Sequence, residues 1–271
     1  MPSLQQIQEM RYYKSATYQE EIKNELINCL INKNNKSKDI IIIVRDQLEY
    51  VKKCIDSIFE NTENFNLYIY DNNSSVETND YLKSIPNVNL TVSKENDGFL
   101  LPNNILAKET KSDYIILLNS DTEVFQDWDH MMISQLEADP NLGQVGYCGS
   151  KLNEEFKGGP AHYGYDIDYV CGWCCCIPRK IYQEFGLFDE EHLNLAYCED
   201  ADLSLRVKEK GYKIYAMYSD LVTHYENKTI LEVSKDSSQK ERFTKAFKEN
   251  HAYMLKRWSA FVHNSSSQFW E

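Results

Sequence analysis

The sequence contains no long apolar run and comparatively few positive charges. No stretch approaches the roughly 20 apolar residues that a helix needs to cross a bilayer, and residues 1–10 show no basic start followed by an apolar core. We therefore expect a cytoplasmic protein in which the eight cysteines are mostly reduced thiols. The 29 lysines and arginines against 42 acidic residues give a formal charge of −13. This balance argues against a nucleic-acid-binding protein, which usually has a basic surface.

Glycine-rich nucleotide motifs and metal-binding cysteine pairs are also missing. No Gly-x-Gly-x-x-Gly follows a strand pattern, which argues against a dinucleotide-dependent oxidoreductase. The residues after the first predicted strand, Arg45 to Leu48, include no glycine, unlike the loop of a sugar-phosphate nucleotidyltransferase. Cys171 to Cys176 contain one Cys-x-x-Cys but no second pair at zinc-finger spacing. We interpret these cysteines mainly as small packing residues.

Strand and helix patterns alternate from Asp39 onward. Apolar runs predict four strands, and apolar residues at helical spacing predict helices between them; the strands are Ile40–Val44, Leu67–Tyr70, Val88–Val92 and Tyr114–Leu118. This order predicts an α/β fold with a parallel sheet and helices on both faces. We expect a main domain over residues 39–226, because the chain on either side of it has a different character.

Both flanking segments have helical patterns. Residues 1–38 are polar with apolar residues at helical spacing, which predicts an N-terminal helical appendage. Residues 227–271 predict an amphipathic tail helix; the side chains expected on its apolar side are Phe243, Phe247, His251, Met254 and Trp258. From Lys228 to Glu271 the tail carries eight basic and five acidic residues. We favour packing of its apolar side on the domain or on a second subunit, with peripheral membrane contact as the alternative.

Polar residues follow the predicted strands where each strand ends. Asn119, Ser120 and Asp121 come directly after the apolar run Tyr114–Leu118, and Asp71 follows the second strand. In open α/β sheets, ligands bind at the edge formed by these carboxyl ends. A carboxylate at this edge could hold a divalent cation, which could in turn bind phosphates.

A second acidic cluster, Glu199-Asp200-Ala201-Asp202, opens a predicted helix. Helix capping and the helix dipole could account for Asp202 or Glu199. One carboxylate of the cluster could instead act as a general base on an incoming hydroxyl group.

Taken in order, these motifs resemble an inverting family 2 glycosyltransferase of the GT-A fold, close to its rhamnosyltransferase-like, polysaccharide-building branch. The resemblance covers about Asp39 to Tyr225. The matching segments are Ile40–Val44, Tyr70–Ser74, Asn96–Phe99, Leu118–Glu123, Gly186–Glu190 and Glu199–Leu203.

The resemblance implies a donor site and a metal site. It implies that Asp121 binds Mn²⁺ or Mg²⁺ and that His224 completes the metal shell. It further implies a UDP-, dTDP- or GDP-sugar donor; the donor-binding residues would be Asp46, Asp71, Asn96, Gly98, Asn119 and Ser120. Asn119 departs from the family pattern, because the metal motif is often Asp-x-Asp.

The resemblance also implies roles on the acceptor side. Asp200 would be the catalytic base, with Trp173 and Glu199 beside the acceptor. The acceptor could be a saccharide, a lipid-linked glycan or a glycoprotein. A catalytically degenerate partner subunit and a sugar-phosphate nucleotidyltransferase stay open as alternatives.

Overall fold

The computed structural model describes residues 36–225 and 237–265 of the chain, with side chains up to Val262. The predicted N-terminal helix and the predicted boundary at residue 226 fall outside the described residues. The division into three segments therefore stays a prediction.

Twelve strands and seven helices occupy the described residues. The strands are β1 (Lys38–Val44), β2 (Phe65–Asp71), β3 (Val88–Val92), β4 (Tyr114–Leu118), β5 (Thr122–Val124), β6 (Leu142–Gly146), β7 (Gly149–Leu152), β8 (Gly158–His162), β9 (Tyr169–Val170), β10 (Cys174–Pro178), β11 (Lys213–Ala216) and β12 (Val222–His224). The helices are α1 (Leu48–Asn61), α2 (Val76–Ser84), α3 (Leu100–Glu109), α4 (Trp128–Ala138), α5 (Arg179–Phe185), α6 (Glu199–Glu209) and α7 (Ser237–Ser265).

Seven strands form a central, mostly parallel sheet in the order β11-β6-β10-β4-β1-β2-β3. Strands β4, β1, β2 and β3 are parallel, as the sequence predicted. Strand β10 is antiparallel to both of its neighbours, β4 and β6. Because β10 carries Cys174, Cys175 and Cys176 and all three are buried, these cysteines are packing residues of the sheet.

Helices cover both faces of the sheet. Alternate side chains of a strand point to opposite faces, so the apolar residues of β1 pack against helices on both sides. Ile40 and Ile42 of β1 belong to one apolar cluster, together with Ile55 of α1 and Trp128 of α4. Ile41 lies in a second cluster, which includes residues of α3, α5 and α6. The carboxyl ends of β1, β2 and β4 therefore meet at one edge between two helical layers.

The tail helix α7 packs against α6. Met254, Trp258 and Val262 form a third cluster with Ala201 and Leu205 of α6. The buried positions of α7 recur every four residues; they are Ala246, Asn250, Met254, Trp258 and Val262. The prediction of the apolar side of α7 was therefore partly wrong, because Phe247, which was expected on that side, is 40% exposed. No helix within residues 36–225 and 237–265 is long and apolar enough to cross a membrane.

Candidate active site

A short two-stranded ladder brings Asp121 and His224 together. Strand β12 pairs antiparallel with β5, which places His224 opposite Thr122. His224 Nε2 lies 3.1 Å from Asp121 Oδ1, and the backbone N–H of Tyr225 donates to the carbonyl oxygen of Asp121 at 2.9 Å. The two predicted metal ligands therefore contact each other at the end of β4, although 103 positions separate them in the sequence.

The segment Gly172-Trp173 connects this pair to Asp200. The Trp173 ring stacks on the His224 ring, with centroids 4.9 Å apart and planes inclined by 13°. The carbonyl oxygen of Trp173 accepts a hydrogen bond of 2.8 Å from the backbone N–H of Asn119. On the other side, the N–H of Gly172 donates to Asp200 Oδ2 at 3.3 Å. The predicted base Asp200 thus contacts Gly172, and the next residue, Trp173, contacts the predicted metal ligand His224.

Burial changes the acidity of the two carboxyl groups that open α6. The pKa of Glu199 rises to about 8, first because the group is buried and second because of the charge of Asp200. Burial also raises the pKa of Asp200, against hydrogen bonds from the N–H groups of Ala201 and Gly172 that lower it. Glu199 Oε2 has no hydrogen-bond partner among the described residues. Burial therefore raises the pKa of both carboxyl groups that open α6, so each is a stronger base than an exposed carboxylate.

Asp202 has a different role from its two neighbours. Its carboxylate accepts hydrogen bonds from Arg206 Nε at 2.7 Å and from Trp258 Nε1 at 2.9 Å. Asp202 was one of two residues for which the sequence favoured helix capping. Its side chain instead joins α6 to α7.

Asp46 and Asp71, two predicted donor-binding residues, meet at the loop after β2. Asp71 is buried and accepts hydrogen bonds from the N–H of Ser74 and from Asn79. Asp46 Oδ1 accepts from the N–H of Ser75 at 2.7 Å. Both carboxylates therefore fix the backbone of this loop at the sheet edge.

Asn96 and Gly98 are joined to the same edge by Asn72, which the candidate set missed. Asn72 Nδ2 donates to Asn96 Oδ1 at 3.0 Å and to the carbonyl oxygen of Gly98 at 2.7 Å. The signal in the sequence was the position of Asn72 directly after β2, within the matching segment Tyr70–Ser74. Gly98 has φ +83°, and a Cβ there would lie 2.4 Å from the carbonyl oxygen of Leu195. The backbone that approaches Gly98 is therefore that of Leu195.

Asn119 and Ser120 form the turn between β4 and β5. The carbonyl oxygen of Asn119 accepts from Thr122 Oγ1 at 2.8 Å, and Ser120 is buried. Together with the contact between Asn119 and Trp173, these interactions fix the turn that carries Asp121.

Asp121 and His224 are suited to share a metal ion with a phosphate ligand. Among the described residues no group of three His, Cys, Asp or Glu side chains could hold a metal ion. Asp121 and His224 nevertheless lie in contact, and a carboxylate oxygen and an imidazole nitrogen are both ligands that Mn²⁺ accepts. These two ligand atoms fit an ion whose remaining ligands are phosphate oxygens and water.

Comparison with known protein families identifies the chain as a glycosyltransferase. The family model "Glycosyl transferase family 2" matches residues 39–186, and "Glycosyltransferase like family 2" matches residues 161–246. The first match covers more than half of the chain. The chain belongs to glycosyl transferase family 2.

Solved structures of glycosyltransferases share the fold at low sequence identity. GalNAc-T7 with UDP, GalNAc and Mn²⁺ is 14% identical with a TM-score of 0.59, covering 70% of this chain. The mannosyltransferase PcManGT from Pyrobaculum calidifontis, in complex with GDP-Man and Mn²⁺, is 12% identical with a TM-score of 0.56; the match covers 86% of this chain and 73% of that one. S. aureus TarS 1–349 is 13% identical with a TM-score of 0.52, covering 69% of this chain and 59% of that one.

The match spans only 44% of the GalNAc-T7 chain. No curated protein sequence matches the chain. The assignment to a rhamnosyltransferase-like branch stays a prediction.

Proposed function

We propose that the protein transfers a sugar from a nucleoside-diphosphate sugar to a hydroxyl group of an acceptor, with a divalent metal ion and with inversion of the anomeric carbon. One observation carries the proposal. Gly172 binds Asp200 through its N–H, and the next residue, Trp173, stacks on His224, which contacts Asp121. The proposed base for the acceptor and the proposed ligands for a metal–diphosphate group thus lie on either side of the segment Gly172-Trp173.

Asp121 and His224 would hold Mn²⁺ or Mg²⁺. When bound, the ion would neutralise charge on the leaving nucleoside diphosphate. Mn²⁺ in the structures of GalNAc-T7 and PcManGT supports this part of the proposal, as do UDP in the first and GDP-Man in the second. We propose a UDP-, dTDP- or GDP-sugar as donor; the donor-binding residues would be Asp46, Asp71, Asn96, Gly98, Asn119 and Ser120.

Asp200 would take the proton from the acceptor hydroxyl group, which contributes about 10²–10⁴-fold to the rate. The hydrogen bonds from Gly172 and Ala201 orient its carboxylate, and the raised pKa makes it a stronger base than an exposed aspartate. Glu199 and Trp173 would lie beside the acceptor. His224 covers one face of the Trp173 ring, so only the remaining surface of this ring can contact a sugar.

We place the protein in the cytoplasm and in the synthesis of polysaccharides, with a saccharide, a lipid-linked glycan or a glycoprotein as acceptor. Packing of α7 on α6 favours a structural role for the apolar side of the tail. Phe247 is 40% exposed and is the side chain of α7 through which a second subunit or a membrane surface would be contacted.

A panel of UDP-, dTDP- and GDP-sugars tests the proposed function. We expect the protein to release the nucleoside diphosphate from at least one donor when Mn²⁺ or Mg²⁺ is present, and not when the metal is chelated. Proton NMR of the first-formed product should show an anomeric configuration opposite to that of the donor. Binding of a donor without any turnover would favour the degenerate partner subunit instead.

A further inference from the structure

The loop that leads into α6 has an unusual backbone. Leu195, Tyr197 and Cys198 have φ values of 54°, 76° and 73°. Residues with a Cβ rarely adopt this left-handed region, and they persist there only where surrounding contacts hold them. Because Glu199 and Asp200 follow immediately, the course of this loop sets the position of the proposed base.

Asn250 of α7 supplies contacts of this kind. Its Nδ2 donates to the carbonyl oxygens of Asn194 at 2.8 Å, Ala196 at 3.0 Å and Tyr197 at 3.0 Å. Its Oδ1 accepts from the N–H of Asn194 at 2.9 Å. The Asn250 side chain is fully buried, so water cannot substitute for these bonds. One side-chain amide thus binds three of the four residues from Asn194 to Tyr197.

The start of α3 holds the remaining residue of the loop. The backbone N–H groups of Phe99 and Leu100 donate to the carbonyl oxygen of Leu195 at 2.5 and 3.0 Å. Gly98 makes this approach feasible, because any larger residue would collide with Leu195. The loop is therefore fixed between α3 and Asn250, and its next residues carry the carboxyl groups of the site.

We infer that Asn250 is a positioning residue for glycosyl transfer: by holding the loop Asn194–Tyr197, in which Leu195 and Tyr197 are left-handed, it fixes Asp200 against Gly172. This inference rests on the proposed function for its catalytic consequence. A buried apolar residue at position 250 would serve the packing of α7 equally well, since Met254 and Trp258 supply the apolar contact. The carbonyl groups of the loop, however, require the N–H donors of the Asn250 side-chain amide.

The substitutions Asn250→Ala and Asn250→Asp test the inference. Asn250→Ala removes all four hydrogen bonds, whereas Asn250→Asp keeps the side-chain volume and the acceptor for Asn194 but places an oxygen against three carbonyl groups. Val262→Ala is the control, because Val262 is buried on the same helix and belongs to the cluster with α6. All variants are assayed at a temperature at which circular dichroism shows the fold to be intact; if Asn250→Ala does not fold, Asn250→Asp carries the comparison.

We expect kcat for transfer to fall about 10- to 100-fold in both Asn250 variants, because small displacements of a catalytic group have effects of this size. The affinity for the nucleoside diphosphate with Mn²⁺ should stay near the wild-type value, and Val262→Ala should keep kcat. If Asn250 only stabilised the fold, its variants would have a lower melting temperature, but kcat would not fall while the nucleotide affinity stays near the wild-type value.

Hydrogen exchange at the Asn194 amide supplies a readout that does not need activity. Exchange should become faster in Asn250→Ala, which removes the acceptor of this amide, and stay unchanged in Val262→Ala. Unchanged exchange, or a kcat in Asn250→Asp equal to that of Val262→Ala, would overturn the inference. If the wild type turns over no donor, the proposed function fails, and the exchange measurement still decides whether Asn250 holds the loop.

Discussion

Glu199 and Asp200 are adjacent carboxyl groups in a site that water reaches poorly. Burial raises the energy of both carboxylates, and the charge of Asp200 raises that of Glu199 further, so the pair cannot be fully ionised at low cost. The pKa of Glu199, near 8, means that the folded protein keeps a proton that the unfolded chain releases near its ordinary value of 4.5. The contribution of Glu199 to stability should therefore be most favourable below about pH 4.5 and decrease as the pH rises to about 8.

The substitution Glu199→Gln tests this dependence. It removes the titrating group, so the melting temperature of the variant, relative to wild type, should rise between about pH 5 and about pH 9. The exposed Glu191 gives a matched control, Glu191→Gln, for which no such change is expected. A difference between Glu199→Gln and wild type that is the same at both pH values would contradict the assignment.

Asp121 and His224 should be required for metal-dependent nucleotide binding. We expect Asp121→Ala to abolish the gain in nucleoside-diphosphate affinity that Mn²⁺ provides, and His224→Ala to reduce it by about tenfold, or about 1.4 kcal/mol. Titration calorimetry with and without Mn²⁺ measures this gain. His162→Ala removes an imidazole from β8 and serves as control. An equal gain in all three variants would exclude Asp121 and His224 as the ligands.

At the scale of elements, α7 is joined to α6, the helix that carries the proposed base. Trp258 is fully buried, and its Nε1 donates to Asp202, which also binds Arg206. Arg206 in turn donates to the carbonyl oxygens of Phe185 and Leu187. This chain of contacts joins α7, α6 and the end of α5.

Replacing Trp258 should weaken this junction in two distinguishable ways. Trp258→Ala should lower the free energy of unfolding by about 3–5 kcal/mol, because it leaves a cavity. Trp258→Phe keeps most of the apolar volume but leaves one oxygen of Asp202 without its donor, which should cost about 1–3 kcal/mol. Urea denaturation measures both values. A loss below about 1 kcal/mol in Trp258→Ala would show that α7 is only loosely attached.

The regular elements could be predicted from the sequence because their apolar patterns are local. The bounds of β3 and β4 agree with the prediction, and the parallel order of the first four strands follows from the alternation of strands and helices. The antiparallel strand β10 was not predicted. Its residues continue an apolar run from β9, and only Cys171, Gly172 and Trp173 separate the two strands.

The site could be predicted only as a set of residue types. Asp121, Asp200 and His224 were recognised by their motifs, but the contact between Asp121 and His224 depends on β5 and β12, which have three residues each. Strands this short leave no pattern in a sequence. Asn250 was missed because a polar residue in an amphipathic helix normally faces water, whereas here it faces the carbonyl groups of another loop.

For the whole molecule, the parts combine into one mechanism. The carboxyl ends of the parallel strands supply Asp121 and the proposed donor residues, β12 supplies His224, and α6 supplies the proposed base. The loop that leads into α6 is held by α3 and α7. The chain carries a formal charge of −13, and its proposed donor is an anion. A metal ion at Asp121 and His224 would offset this repulsion, since it carries the largest positive charge in such a site.

The central claim is that Asp200 is the base of a glycosyl transfer, and Asp200→Asn tests it most directly. The amide has nearly the size of the carboxylate but does not accept a proton from the acceptor. Transfer and binding of the nucleoside diphosphate with Mn²⁺ should be measured on the same preparations of variant and wild type. We predict that transfer falls by about 10²–10⁴-fold while nucleotide affinity stays near the wild-type value. Transfer by Asp200→Asn at the wild-type rate would contradict the mechanism.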